Sequence, residues 1–373
     1  MRLRLATFLL AHLFGLAHAA SAAVVTASPK TRLLGNVTVT VPSVGTYTLS
    51  SDTNNLSITI VKDGVNCANG AGMEVTNPPG FPASIQSSNP LPVEVTFTPQ
   101  SRGTRSCQFD VIDQAGTTLL ETFSATGTGV APVLAVSEPA LSYGNVRLSE
   151  TKDLSFTIGN STTDIGQGLM INSITLGGSS PAQYVFLAKP PNLSVLEPGT
   201  EQTVTVGFKP TSSGTKPALV NINTNDPITP TYSVTLSGTG TIAIINLPPE
   251  ALIPDVAAGS SGSTDVPIGN IGFGATLSIT SGNLTASGDW ITFAGEPPGV
   301  GCAGSKTCTF DSILEIAASS ADVTVQCTPP LGASGWQSET LTFASDTYPG
   351  TDKQTTVTCT VDDVIFADAF EGP

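Results

Sequence analysis

Six cysteines, Cys67, Cys107, Cys302, Cys308, Cys327 and Cys359, are the residues with the clearest capacity for chemistry in this 373-residue chain. Their spacing lacks the two close CxxC pairs of a structural zinc site, so an even set reads as disulfides if the compartment is oxidising. Histidine offers much less. His12 and His18 are the only two, and both fall in a leader-like opening segment. A glycosidase needs only two carboxylates, but Asp and Glu are scattered, mostly at expected turns, and nothing singles out a pair. The order of residues holds no GxSxG elbow, no phosphate-binding GxxxxGK[ST] and no dinucleotide-binding glycine fingerprint. Gly259-Ser-Ser-Gly262 reads as a loop.

The opening segment sets the compartment. Arg2 and Arg4 precede an apolar run from Leu5 to Ala17, followed by small residues with two A-x-A sites, Ala17-His18-Ala19 and Ala20-Ser21-Ala22. This is the pattern of a secretory signal at 1–22, and the run is shorter than the roughly 20 residues of a membrane span. Its removal leaves a chain without imidazole, which excludes Ser-His-Asp catalysis and His-ligated metal. It also leaves 12 basic residues against 29 acidic. Such an acidic balance argues against nucleic acid as a partner. No later segment is apolar enough to span a bilayer. An exported chain, extracellular, surface-bound or periplasmic, follows as the expectation.

The elements that must position these residues repeat. Val93-Glu-Val-Thr-Phe-Thr-Pro99 returns as Val204-Thr-Val-Gly-Phe-Lys-Pro210 and as Val323-Thr-Val-Gln-Cys-Thr-Pro329. Each has strict apolar alternation, the signature of a strand with one buried face, closed by Pro and then by Gly103, Gly214 or Gly335. Phe123-Ser-Ala-Thr-Gly-Thr-Gly129, Val234-Thr-Leu-Ser-Gly-Thr-Gly240 and Val357-Thr-Cys-Thr360 recur in phase with it. Ile158-Gly-Asn160 matches Ile268-Gly-Asn270. Only 12% of residues are charged and no amphipathic helix follows the leader, so short strands and frequent turns dominate. The expected fold class is all-β, with three tandem immunoglobulin-like β-sandwich modules at 23–131, 132–241 and 242–361 and an acidic tail at 362–373.

The alignment of copies orders the cysteines. Cys327 stands where the other copies place Phe97 and Phe208, and Cys359 stands where they place Ala125 and Leu236, so a bond between these two would replace an apolar contact. Cys302 then pairs with Cys308 as a small clip, and Cys67 with Cys107 in the first copy. A Cys302–Cys327 bond is the rival connectivity.

Phe208-Lys-Pro-Thr-Ser-Ser-Gly-Thr-Lys216, Ile222-Asn-Thr-Asn-Asp-Pro227 and Val234-Thr-Leu-Ser-Gly-Thr-Gly240 together resemble the bacterial choice-of-anchor D repeat, a group similar to the ASPM-SPD-2-Hydin immunoglobulin-like fold. The resemblance covers 132–240. In the outer copies Asp113-Gln-Ala-Gly116 and Asp346-Thr-Tyr-Pro349 replace the Asn-Asp-Pro hairpin. Ile365-Phe-Ala-Asp-Ala-Phe-Glu371 resembles a short tail of some secreted gammaproteobacterial proteins. The resemblance implies an exported, non-enzymatic repeat protein with no catalytic residues or cofactor to carry over.

Candidate ligand contacts remain. Trp336 and Tyr348 could form an aromatic shelf for a glycan, while Trp290 is expected in the core. Asp362, Asp363, Asp368 and Glu371 lack the spacing of a calcium loop and read as a solvated acidic end. Asn55-Leu-Ser57 matches a glycosylation sequon, which means little in a chain of bacterial character. The partner expected is a protein or a glycan at a cell surface.

Overall fold

The computed structural model describes residues 23–65, 67, 72–164, 166–285, 288–294, 302–316 and 320–362. The expected leader at 1–22, with both histidines, and the tail from Asp363 onward lie outside them. Among the described residues every regular element is a strand apart from one short 3-10 turn, Pro181–Gln183. The chain forms two compact units. One runs up to Val133 and includes the segments Thr162–Gln167 and Asp226–Ile228; the other comprises Leu134–Ser161, Gly168–Asn225 and the chain from Thr229.

In the first unit, one sheet runs in the order Val25–Ser28, Ser43–Ser51, Leu91–Phe97, Met73–Asn77. The other runs Thr31–Thr38, Leu119–Val130, Gly103–Asp113, Leu56–Lys62, Ala83–Ile85. Their inner faces meet on Tyr47, Leu49, Phe97, Phe109 and Phe123, all buried. The opening strand divides between the sheets. Val25–Ser28 pairs antiparallel with Ser43–Ser51, whereas Thr31–Thr38 pairs parallel with Leu119–Val130. Pro29 sits at the crossing, where a residue without an N–H ends one ladder and releases the chain to the other. This split first strand over two Greek-key sheets is the immunoglobulin-like arrangement.

The second unit carries two further sheet pairs of the same design. Ala140–Arg147 lies parallel to Thr231–Thr241, and Glu250–Val256 lies parallel to Lys353–Val361. Pro139 and Pro249 mark the crossings. Each pair closes over its own core, centred on Tyr143, Phe156, Tyr184 and Phe208 in one and on Phe293, Leu341, Phe343 and the Cys327–Cys359 pair in the other.

The repeated Gly-Thr-Gly now has a packing cause. A methyl group on Gly127 would lie 2.6 Å from the Phe97 ring, and one on Gly238 would lie 2.5 Å from the Phe208 ring. The ring of one strand is seated on bare backbone of another. Where the third copy replaces that Phe by Cys327, the facing backbone position is Val361 instead of glycine.

Candidate functional site

Three disulfides join Cys67 to Cys107, Cys302 to Cys308 and Cys327 to Cys359. The last has Cα atoms 6.2 Å apart and ties the two sheets of the third copy at the predicted core positions. The six-residue separation of Cys302 and Cys308 makes a tight loop at the sandwich edge. It is pinned to Ile291–Phe293 by the Phe293 N–H on Ser305 O at 3.0 Å and the Gly304 N–H on Phe293 O at 2.9 Å.

The two aromatic candidates are both solvent-facing, Trp336 at 69% and Tyr348 at 40% exposure. The structure does not bring them together. Trp336 opens the strand Trp336–Ser345 and Tyr348 follows its end, so the strand itself separates them by roughly 30 Å at about 3.3 Å per residue. A shared aromatic shelf is therefore corrected to two separate side chains. Trp290 packs against the third core, half-buried, and Asp362, the last tail residue in view, is exposed and donates its N–H to Val256 O at 3.1 Å.

Tyr348 belongs to a cleft of about 370 Å³ within the second unit, lined also by Arg147, Leu148, Thr241, Ile242, Ala243 and Asp346. The cleft lies where the strand Thr231–Thr241 passes into Ile245–Asn246 through only Ile242, Ala243 and Ile244. These three are held rather than loose. Ile242 exchanges both backbone hydrogen bonds with Phe273, at 2.8 and 2.7 Å. Ala243 O accepts from the Tyr348 N–H at 2.9 Å, and Ile244 O accepts from the Ile271 N–H at 3.0 Å. Gly272 makes this approach possible, since a Cβ there would fall on the Ile242 carbonyl. Across the junction, the Arg147 guanidinium pairs with Asp346 at 2.7 Å and donates to Thr276 O.

One pair of chemical groups escaped the sequence reading. The strand registers set Cys107 opposite Ala125, Ala218 opposite Leu236 and Gln337 opposite Cys359. Two residues further along these strands stand Phe109, Val220 and Glu339. At a core position that is apolar twice, the third copy carries a carboxylate with no side-chain exposure, ion-paired to Lys306. The expectation that acidic residues sit at turns fails here, because a cation inside the clip loop reaches inward to meet this one. The signal was present: Glu339 breaks an alternation that continues through Leu341 and Phe343. Among the described residues no group of three His, Cys, Asp or Glu side chains gathers to hold a metal ion.

The tyrosines are structural. Burial pushes the Tyr47 hydroxyl up to about 12, against a smaller opposing pull from Arg32, and burial pushes Tyr184 up to about 12 as well. Tyr143 is raised further by burial, with small contributions from Tyr184 and Asp153. Each stays neutral and donates to a backbone carbonyl: Tyr47 to Ser124 O at 2.9 Å, Tyr143 to Val206 O at 2.7 Å and Tyr184 to Lys216 O at 2.5 Å.

No protein-family model and no curated protein matches the chain. Among solved structures, it is similar to the I-band fragment I67–I69 of titin, at 11% identity, covering 92% of this chain and 99% of that one with a TM-score of 0.30. It is also similar to cadherin domains 1–4 of protocadherin gamma B7, at 9% identity over 91% of this chain and 76% of that one, TM-score 0.40. A third is PapD-like domain 7 of human CEP192, at 14% identity over 29% and 84% of the two chains, TM-score 0.22. The strand orders of the chain by themselves define an all-β chain of immunoglobulin-like sandwiches.

Proposed function

We propose that this chain is an exported, non-enzymatic structural or adhesive protein of three immunoglobulin-like modules, 23–131, 132–241 and 242–361, that works by spacing and display. The observation carrying this reading is the junction at Ile242–Ile244, where every residue is engaged by backbone hydrogen bonds and none serves as slack. A linker of that kind fixes the direction in which the following sandwich presents its loops and edge strands. Three disulfides in one chain fit an oxidising compartment, and the leader pattern and the choice-of-anchor D resemblance of 132–240 support the same assignment.

Two measurements on the full chain test it. Expression with the leader intact should yield a product beginning at Ala20 or Ala23, and a retained leader on soluble cytoplasmic protein would count against export. Spin labels placed in 132–241 and in 242–361 should report one narrow distance distribution. A broad one would remove the basis for rigid display. The exposure of Trp336 favours a second reading, glycan binding by the third module. Retention of a surface polysaccharide by the purified chain, lost in Trp336→Ala, would replace the first reading with that one.

A further inference from the structure

We propose that Lys306 and Glu339 are a self-crosslinking pair, whose amine and carboxyl condense to a side-chain amide inside the third sheet pair. Three observations converge on it. Glu339 stands at a core position that Phe109 and Val220 fill in the other copies, and an ion pair that buries its carboxylate is poor compensation for lost apolar packing. Its Oε1 meets Lys306 Nζ, while its Oε2 is buried with no hydrogen-bond partner among the described residues. A charged oxygen left unpaired in a core demands a physical reason. Lys306, finally, lies inside the Cys302–Cys308 loop, and its Nζ also donates to Gly288 O at 2.7 Å. The clip thus delivers an amine to a carboxyl from a fixed position.

The chemistry balances without a co-reactant. Nζ attacks Cδ of Glu339, the new C–N bond forms, and one carboxylate oxygen leaves as water with two of the three ammonium protons. The remaining N–H keeps its acceptor in Gly288 O, and the remaining oxygen becomes the amide carbonyl. A fully buried carboxylate charge, its partly buried cation and one orphaned oxygen disappear together. Holding both groups in contact supplies an effective concentration of roughly 10⁵–10⁸ M for well-oriented partners, and exclusion of water disfavours the reverse hydrolysis. The product would be a covalent tie that, unlike the neighbouring disulfides, survives reduction.

Mass analysis of the folded full chain, after reduction and denaturation, tests this directly. The expected result is a branched tryptic peptide joining the Lys306 and Glu339 segments, lighter by one water than its linear parts, with no cleavage after Lys306. Lys306→Arg keeps the positive charge but should show the full sequence mass. Linear peptides with cleavage after Lys306 in folded wild-type protein would overturn the proposal and leave a plain ion pair. The same water loss in Lys306→Arg would also overturn it, by placing the loss elsewhere. Should that variant fail to fold, the wild-type peptide map decides alone.

Discussion

At the scale of single residues, the three buried tyrosines tie stability to pH on the alkaline side. Tyr47 and Tyr184 have their folded-state pKa raised to about 12, above the value of about 10 for an unfolded tyrosine. Their contribution is fully present below pH 10 and is lost as pH climbs toward 12, because the unfolded chain ionises first. Denaturant unfolding followed from pH 8 to 12 should show the midpoint falling above pH 10. A flat profile there would show that these hydroxyls are exposed. Gly238 offers a second single-residue test. The added methyl of Gly238→Ala must displace the Phe208 ring, so a loss of about 1–3 kcal/mol is expected in chemical denaturation. The landmark glycines and core phenylalanines were both legible from the repeats, but their mutual contact was not, since it joins strands remote in sequence. Glu339 was legible only as an irregularity, because its partner lies 33 residues away and meets it through tertiary folding.

Among the elements, the Cys327–Cys359 bond links strands of opposite sheets across a sequence separation of 32 residues. Replacing both cysteines by alanine should cost roughly 2–4 kcal/mol. Thermal unfolding under oxidising conditions should show that loss, while under strong reductant the variant and the wild type should converge. Repeat alignment found this pairing because each cysteine occupies a position whose inward orientation two other copies define. Strand identity was readable for the same reason, a period of two repeated three times. The parallel edge strands were not. Their partners are fixed by where a proline lets the chain cross between sheets, a three-dimensional choice that apolar alternation does not encode. The aromatic shelf failed likewise, because closeness in sequence placed Trp336 and Tyr348 at the two ends of one strand.

For the molecule as a whole, the junction within the second unit is the feature on which the functional reading depends. The Arg147–Asp346 pair is partly exposed, at 29% and 36%, so its removal should change stability by no more than about 1 kcal/mol. Gly272→Ala should do more, by forcing the loop off the Ile242 carbonyl. Distance measurements should show broadening in Gly272→Ala and near-native behaviour in Arg147→Ala; the reverse pattern would assign the rigidity to the ion pair instead. The parallel pairing of edge and final strand in each sandwich carries a mechanical consequence. Tension applied at the two ends of such a sandwich slides Thr31–Thr38 against Leu119–Val130, or Ala140–Arg147 against Thr231–Thr241, along their length. The rungs of that ladder then bear load simultaneously instead of opening one at a time, so yielding requires rupture of the whole set at once.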